Sequence, residues 1–477
     1  MTQSFDIAVI GSGPGGYRAA VLGALRERRV VVVEKQDWGG CCLNRGCVPK
    51  KDWYHSARLV AASREFSGRG ISGSLAVDLG RAWEHQEAVV RKVQDSYRDY
   101  MKRLGISMLS GTASFASAHE LDIQSGTTRN RIQAASVIIA TGSQPAPTPG
   151  LAPRPKRILT TDMLFDEPPP PGRRVAVIGG GLIGAEFAFI LSMLGLEVHW
   201  VTRRSPLART RFSPQALTLL KEALRAYGIE PLEGVSVTGS SLRNDELVLD
   251  LTEGHELAVD WALLGTGRVP FTDGLALDAV GVALDERGYV RVNERLQTNL
   301  PHVYAVGDCV SEHMTANQAI ADAAVAVQNI IAGDSPLIQR RRDVEWVPEV
   351  IYSAVELARL GLNEDLAEDA GLEPAVGFAA FENSPCALGQ DDTRGFVRLI
   401  ADLDSGALLG AEVAGAQAGE LIHMLELVPD HASALAHLAH VSVNHPTRAE
   451  EFVNAAETLA SKWGLRSRIF STPDHGQ

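Results

Sequence analysis

The sequence is poor in cysteine, in positive charge and in long apolar runs, and each shortage excludes a class of protein. Five cysteines among 477 residues are too few to staple a chain of this length, and an odd number does not fit a secreted disulfide framework. With 45 basic against 58 acidic side chains the net charge is −13, so we expect no nucleic acid partner. The apolar stretch at 175–196 is broken by glycines and by Glu186, so we expect no membrane span.

The composition that remains is that of an ordinary globular protein. Hydrophobic residues make up 45% and charged residues 22% of the chain, and a length near three times a typical domain predicts roughly three domains. The first residues carry no basic segment ahead of an apolar run. We therefore expect no signal sequence and a cytoplasmic location.

Two segments repeat the order strand, glycine-rich turn, helix, strand. The predicted elements lie at 5–10, 17–26 and 30–33 in the first segment and at 175–178, 185–194 and 198–201 in the second. This order indicates an α/β fold with two Rossmann-like dinucleotide-binding domains. Connectors rich in proline and glycine at 144–155 and 168–172 put a boundary near residue 150, and the pattern from residue 344 onward indicates a third, α+β domain.

Each turn carries the spacing G-x-G-x-x-G, in which glycines permit a tight turn, close approach of a pyrophosphate and packing of helix on strand. The glycines are Gly11, Gly13 and Gly16 in the first turn and Gly179, Gly181 and Gly184 in the second. Glu34 follows Gly16 by 18 residues, the spacing of an acid that binds a ribose hydroxyl. The first segment is therefore predicted to bind a dinucleotide.

Arginines stand where the second segment would carry the corresponding acid. Arg203 and Arg209 could clamp a 2′-phosphate, which predicts a preference for NADPH over NADH. The alternative is that these arginines form a solvated turn. Gly184 also conflicts with that preference, since glycine is the commoner third residue at NAD sites.

Two cysteines five positions apart, Cys42 and Cys47, precede a helix predicted at 50–63. A helix N-terminus favours the thiolate, and Lys50 and Lys51 would add to this effect. The pattern predicts dithiol/disulfide exchange. A metal site would need further ligands at compact spacing, so we expect no metal; a metal site and an inert pair remain the alternatives.

The segment 39–51, Gly-Gly-Cys-Cys-Leu-Asn-Arg-Gly-Cys-Val-Pro-Lys-Lys, resembles the redox signature of the FAD-dependent pyridine nucleotide-disulfide oxidoreductases. These include dihydrolipoamide dehydrogenase and glutathione reductase. The resemblance runs nearly end to end, through further motifs at 140–142, 265–268, 297–299, 305–308 and 445–447. It departs from the family at Cys41, where a threonine is common.

The resemblance implies the division of the chain and its cofactors. FAD would bind a discontinuous domain at 1–150 and 268–340, NAD(P) a domain at 151–267, and residues 341–477 would form a dimerisation domain. The residues expected at FAD are Gly11, Gly13, Gly16, Glu34, Thr141, Gly142, Gly307 and Asp308, the last holding the ribitol. Those expected at NAD(P) are Gly179, Gly181, Gly184, Arg203 and Arg209.

The resemblance also implies the catalytic roles. Cys47 would be the sulfur next to the flavin that forms the charge-transfer thiolate, and Cys42 the interchange thiol that meets the substrate. Lys51, with Lys50 as its alternative, would form an ion pair with Glu186 near the reactive flavin edge.

His445 and Glu450 match the family's acid/base dyad, which faces the cysteines of the other subunit and so implies a homodimer. The expected activity is of the dihydrolipoamide dehydrogenase type, acting on a small dithiol/disulfide or a lipoyl carrier protein. An NADPH-dependent glutathione-reductase-like enzyme is the alternative, and a non-catalytic flavoprotein subunit a further one. Mercuric-reductase-like and thioredoxin-reductase-like functions are excluded because the last cysteine is Cys386, far from the C-terminus.

Overall fold

The computed structural model describes residues 3–64, 66–73, 75–333, 342–428, 430–466 and 469. The chain divides into two units, of which unit 1 comprises 1–179, 190–203 and 234–344, and unit 2 comprises 180–189, 204–233 and 345–477. In the described ranges no helix is both long and apolar enough to cross a membrane.

The described helices are numbered in chain order. They are α1 (Pro14–Ala24), α2 (Gly40–Asn44), α3 (Cys47–Ser63), α4 (Leu79–Arg103), α5 (Thr161–Leu164), α6 (Leu182–Met193), α7 (Pro214–Ala226), α8 (Leu277–Val280), α9 (Ala316–Ala332), α10 (Glu364–Asp369), α11 (Pro385–Gln390), α12 (Ala418–Leu421), α13 (Ala434–His440) and α14 (Glu450–Lys462).

The described strands are numbered in the same way. They are β1 (Gln3–Ile10), β2 (Val30–Glu34), β3 (Ser107–Ser110), β4 (Thr112–Ser117), β5 (Glu120–Ser125), β6 (Thr128–Ile139), β7 (Ser143–Pro145), β8 (Ile158–Thr160), β9 (Arg174–Ile178), β10 (Glu197–Thr202), β11 (Pro231–Glu233), β12 (Val237–Arg243), β13 (Glu246–Leu251), β14 (Glu256–Val259), β15 (Trp261–Leu264), β16 (Arg268–Pro270), β17 (Val303–Ala305), β18 (Glu349–Tyr352), β19 (Glu356–Gly361), β20 (Pro374–Ala380), β21 (Gly395–Asp402) and β22 (Leu408–Gly415).

The largest sheet of unit 1 follows the order β3-β2-β1-β6-β5-β4, and β17 also pairs with β6. The end of β6 lies parallel to β1 and β17, whereas its beginning pairs antiparallel with β5. Every residue of β2 is buried, as expected for a parallel strand covered on both faces. The carboxyl ends of β1, β6 and β17 therefore meet at one edge of the sheet.

A second parallel arrangement in unit 1 has the order β10-β9-β15-β8. A three-stranded antiparallel sheet of β12, β13 and β14 and the short pair β7 and β16 complete the sheets of this unit. The glycine-rich turns thus follow β1 and β9, the two strands from which the sequence predicts them.

Unit 2 contains an antiparallel sheet in the order β18-β19-β22-β21-β20. Helix α14 packs on it, and Gly377 of β20 makes this possible because a Cβ there would lie 2.2 Å from the carbonyl oxygen of Ala455. Phe452 of the same helix is fully buried, which stabilises the packing by about 1.5–3 kcal/mol. This packing of α14 on the sheet fixes the position of the start of the helix, where Glu450 lies.

The structure differs from the sequence-based predictions mainly at the ends of elements. Helix α3 begins at Cys47 rather than at residue 50, because Pro49 in its first turn needs no hydrogen bond from its nitrogen. Likewise α1 begins directly after Gly13 with Pro14 as its first residue. The division into three domains stays a prediction.

Candidate active site

The first glycine turn is fixed by close backbone contacts. Gly11 has φ +101°, and a Cβ there would lie 2.4 Å from the carbonyl oxygen of Ala140. A Cβ on Gly16 would lie 1.9 Å from the oxygen of Gly11, whereas one on Gly13 would meet nothing within 4 Å. The turn therefore presents an open backbone face at Gly13, beside the N-terminus of α1, as a pyrophosphate site requires.

Glu34 lies at the end of β2 and is buried. One of its oxygens accepts hydrogen bonds from the amide and the hydroxyl of Ser12, at 2.9 and 2.7 Å, and the other accepts from the amide of Gln36. The Ser12 oxygen in turn accepts from the amide of Gly39 at 2.9 Å. Ser12 therefore ties the glycine turn to the redox segment. Sequence reasoning missed this residue, whose position between two motif glycines was the available signal.

The redox segment lies directly against the glycine turn. A Cβ on Gly40, where φ is +63°, would lie 2.7 Å from the Cα of Gly13. Two residues later Cys42, in α2, forms a disulfide with Cys47, with Cα atoms 4.7 Å apart. Cys47 is the first residue of α3, so its sulfur lies where the helix dipole favours a thiolate.

Side chains of the redox segment hold its shape. The side-chain nitrogen Nδ2 of Asn44 donates to the carbonyl oxygens of Trp38 and Gly40, at 3.1 and 2.9 Å. Arg45 forms ion pairs with Asp37 and, at 2.6 Å, with Asp166. These contacts close the α2 turn from both sides and keep the two cysteines within bonding distance.

Thr141, Gly142, Gly307 and Asp308 follow the carboxyl ends of β6 and β17. Asp308 accepts a hydrogen bond from the Ser143 hydroxyl at 2.6 Å. Burial raises the pKa of Asp308, while this hydrogen bond and the charge of Arg268 act against the increase. The structure thus brings the predicted FAD residues of β1, β6 and β17 to one sheet edge.

The charge of Arg268 acts on Asp308, and Arg268 forms an ion pair with Asp162. Sequence reasoning gave neither Arg268 nor Asp162 a role. Arg268 donates through Nη1 to Asp162 at 2.8 Å, and through Nε to the Ser143 hydroxyl at 2.8 Å. Cys41 donates from its sulfur to the same Asp162 oxygen at 3.5 Å. Arg268 ends the motif at 265–268, but no short-range pattern joins it to Asp162 or Cys41, so the sequence offered no signal for their contact.

The second glycine turn repeats the backbone contact of the first. Gly179 has φ +133°, and a Cβ there would lie 2.2 Å from the carbonyl oxygen of Gly265. Gly181 faces open space, and Gly184 is buried within α6.

Arg203 and Arg209 are exposed, and within the described ranges neither forms an ion pair or a hydrogen bond. Both side chains are therefore accessible to solvent, and their role at a nucleotide stays a prediction.

Glu186 is buried in α6 and accepts a hydrogen bond from the amide of Tyr352 at 3.0 Å. The Ser353 hydroxyl donates to the carbonyl oxygen of Ala185 at 2.7 Å, so the segment after β18 holds this part of α6. Lys51 is half-buried in α3, and its nitrogen lies 5.4 Å from the ring centre of Tyr54. The ion pair between Lys51 and Glu186 stays a prediction.

His445 and Glu450 form a pair in unit 2. The distance between His445 Nδ1 and a Glu450 oxygen is 2.7 Å, and the other Glu450 oxygen accepts from the amide of Thr447 at 2.8 Å. Because a carboxylate only accepts, Nδ1 carries the proton and Nε2 is left to exchange one. The hydrogen bond from His445, followed by that from Thr447, lowers the pKa of Glu450. The His445 ring is largely exposed, at 71%, so a reacting group has access to it.

Comparisons with known proteins identify relatives over nearly the whole chain. The family model described as pyridine nucleotide-disulphide oxidoreductase matches residues 5–326, and that of its dimerisation domain matches residues 347–456. A dihydrolipoyl dehydrogenase of Thermus scotoductus is 34% identical over 462 residues, covering 96% of this chain and 98% of its own length. Dihydrolipoyl dehydrogenase 3 of Haloarcula marismortui is 30% identical over 475 residues, covering 97% and 98%.

Solved structures agree with these matches. LpdA from Mycobacterium tuberculosis has a TM-score of 0.87 at 22% identity, covering 96% of this chain and 100% of its own, a likeness that shows the fold. The HOCl-induced flavoprotein disulfide reductase RclA from Escherichia coli, as its Cu(II) complex, has a TM-score of 0.83 at 25% identity, covering 96% and 99%. The predicted α/β fold with a C-terminal dimerisation domain is confirmed. The chain belongs to the pyridine nucleotide-disulphide oxidoreductases, enzymes that work with FAD and a nicotinamide nucleotide.

Proposed function

We propose that this enzyme is of the dihydrolipoyl dehydrogenase type and transfers electrons from a small dithiol, such as a dihydrolipoyl group, to NAD. The observation that carries the proposal is the Cys42–Cys47 disulfide at the start of α3, beside the first glycine turn. The relatives named dihydrolipoyl dehydrogenase support it over nearly their full length.

The residues of the first glycine turn fit FAD. Gly13 leaves its backbone open to a pyrophosphate, and Gly11 and Gly16 permit the close contacts that shape the turn. Glu34 has one oxygen with a single hydrogen bond, so a lone pair remains for a ribose hydroxyl. When bound, FAD supplies the two-electron relay between the cysteine pair and the nicotinamide. Thr141, Gly142, Gly307 and Asp308 would hold it at the edge where β6 and β17 end.

The cysteine pair exchanges its disulfide with the substrate in two steps. A substrate thiolate attacks the sulfur of Cys42, forming a mixed disulfide and expelling the Cys47 thiolate. The second substrate thiol then displaces Cys42, so the substrate leaves as a disulfide and both cysteines are reduced. Attack on Cys42 is favoured because Cys47, at the helix N-terminus, is the better leaving group.

The His445–Glu450 pair moves the protons of this exchange. His445 Nε2 takes a proton from a substrate thiol, which creates the attacking thiolate, and the imidazolium is stabilised by the Glu450 carboxylate. The dimerisation-domain match over residues 347–456 supports a homodimer, in which the pair would serve the cysteines of the other subunit. Lys51 and Glu186 are proposed as the ion pair near the flavin edge.

The direct test of this proposal is turnover. Purified protein should reduce NAD with dihydrolipoamide, and Cys42→Ser should abolish this reaction while FAD stays bound. Cys386→Ser is the control, because it makes the same substitution at a half-buried cysteine outside the redox pair, far along the chain, and should leave turnover unchanged. Turnover that persists in Cys42→Ser would contradict the proposal.

The choice of nucleotide has two candidates. The named relatives do not support the preference for NADPH predicted from Arg203 and Arg209, and Gly184 agrees with NAD. The exposure of both arginines, which have no partner among the described residues, favours the second candidate, an NADPH-dependent reductase of a small disulfide such as glutathione disulfide. Assays of each substrate against NADH and NADPH separate the two. If the arginines bind a 2′-phosphate, Arg203→Gln with Arg209→Gln should weaken NADPH use far more than NADH use.

A further inference from the structure

Cys41 is a third cysteine beside the redox pair, and it has no role in the proposed exchange steps. It precedes Cys42 in α2 and is half-buried. Its sulfur lies 3.5 Å from an oxygen of Asp162, a residue of α5 that is 121 positions away in the sequence. The contact therefore links the redox segment to a distant part of unit 1.

Hydrogen bonds through Arg268 and Ser143 connect Asp162 to Asp308, the residue expected to hold the flavin ribitol. Arg268 donates to Asp162 at 2.8 Å and to the Ser143 hydroxyl at 2.8 Å, and it donates to the Ser143 carbonyl at 2.9 Å. The Ser143 hydroxyl then donates to Asp308 at 2.6 Å. The side chains of Arg268 and Asp162 are 14% and 27% exposed, so solvent competes little with these bonds.

The neutral, protonated state of the Cys41 thiol agrees with its role as a hydrogen-bond donor. Burial raises the pKa of its thiol to about 12, although the charge of Arg268 opposes the increase. At about pH 8 a pKa of about 12 leaves about one thiol in ten thousand ionised. An exchange thiol must be a thiolate to attack, so the environment of Cys41 does not suit exchange, whereas a neutral thiol can donate to the Asp162 carboxylate.

We propose that Cys41 is a positioning residue, whose thiol donates to Asp162 and, through Arg268 and Ser143, fixes the α2 turn relative to Asp308. It takes no part in disulfide exchange. This inference rests on the proposed function only in that Cys42 and Cys47 are the exchanging pair. Anchoring α2 holds Cys42 close to Cys47 and thereby favours the closed disulfide.

The test compares Cys41→Ser, which keeps a donor, with Cys41→Ala, which removes it. The readout is the equilibrium constant for closing the Cys42–Cys47 disulfide, measured in dithiothreitol redox buffers without nucleotide or lipoamide. Cys41→Ser should leave this constant close to that of the unmodified protein. Cys41→Ala should lower it about fivefold, the equivalent of one net hydrogen bond. Cys386→Ser, the matched control, should leave it unchanged.

A second readout is thiol reactivity in the oxidised, folded protein. Dithionitrobenzoate should not label Cys41 near neutral pH, and the number of labelled thiols should be the same in the unmodified protein and in Cys41→Ser. Two results would overturn the inference: an equal shift of the equilibrium constant in Cys41→Ser and Cys41→Ala, or no shift in Cys41→Ala.

These measurements stand apart from the proposed function. If the unmodified protein fails to oxidise dihydrolipoamide while only Cys41→Ala shifts the disulfide equilibrium, the substrate assignment fails and the positioning role is supported. If Cys41→Ser loses turnover as completely as Cys42→Ser, Cys41 is an exchange thiol and the positioning role is wrong.

Discussion

Asp322 is expected to support the turn that carries Asp308, and its removal should weaken flavin binding. It lies in α9 with a fully buried side chain. It accepts from the amide of Gly307 at 3.1 Å, from Gln318 at 2.7 Å and from two nitrogens of Arg342, each at 2.8 Å. Because the Arg342 side chain is only 14% exposed, the pair is a buried one.

The burial of the Asp322–Arg342 pair sets the free-energy cost of removing Asp322. Asp322→Asn leaves the Arg342 charge buried without its counter-charge, a change that costs about 3–5 kcal/mol when one member of a buried pair is lost. Asp122→Asn is the matched control. Asp122 is also buried and bonded to arginines, Arg129 and Arg131, but their side chains are 65% and 46% exposed, so water can solvate them and the cost should be about 1 kcal/mol or less.

Urea unfolding monitored by flavin release is the assay. Asp322→Asn should release FAD at clearly lower urea than the unmodified protein, and Asp122→Asn should not. The double variant Asp322→Asn with Arg342→Met should recover part of the loss, because no buried charge is left unpaired. Equal flavin release in all variants would refute the reasoning. So would a double variant whose loss equals the sum of the losses measured for Asp322→Asn alone and for Arg342→Met alone.

Three further predictions concern Glu450 and Gly40. Glu450→Gln should lower kcat about tenfold at neutral pH, because a neutral amide stabilises the His445 imidazolium less than a carboxylate does; an unchanged kcat would contradict the role of the pair. The pKa of Glu450 is lowered from 4.5, so its carboxylate contributes stability above about pH 4.5 and loses it as pH falls through the lowered pKa; thermal melting of Glu450→Gln should therefore approach that of the unmodified protein only in acid. Gly40→Ala should lower FAD content, because its Cβ would lie 2.7 Å from the Cα of Gly13. The backbone must shift to relieve this contact, which costs about 1–3 kcal/mol of stability. Gly126→Ala, with φ +56° and no atom within 4 Å, controls for backbone strain alone, and equal FAD loss in both would remove the steric argument.

The sequence predicted the parts of the fold that depend on local order. The strands before the glycine turns and the helices after them lie where the apolar pattern predicts them, and a helix follows Cys42 as expected, although it already includes Cys47. Element ends were less accurate, since a proline in a first turn reads as a boundary but is accommodated there. Helix α3 shows this, because it begins at Cys47 with Pro49 inside it.

The contacts between distant segments could not be predicted in the same way. Arg268 and Asp162 are 106 residues apart, and Ser143 and Asp308 are 165 apart, so their pairing depends on which strand ends meet at a sheet edge. Arg268 belongs to a motif that the resemblance includes. Such a motif identifies the residue but does not predict which distant residues it contacts. Glu34 is the intermediate case, because its spacing predicted a ribose ligand and the structure adds a role in holding Ser12.

The two glycine turns separate what the chain requires from what a ligand would require. The first glycines, Gly11 and Gly179, have φ values of +101° and +133°, and a Cβ on either would lie within 2.4 Å of a backbone carbonyl oxygen just after the neighbouring strand. A side chain is therefore excluded at both by the protein itself. At the second glycines, Gly13 and Gly181, a Cβ would have no atom within 4 Å, and neither residue has a left-handed backbone angle. Nothing within the described chain demands glycine there, so we expect the demand to come from a dinucleotide, whose pyrophosphate would have to approach that backbone.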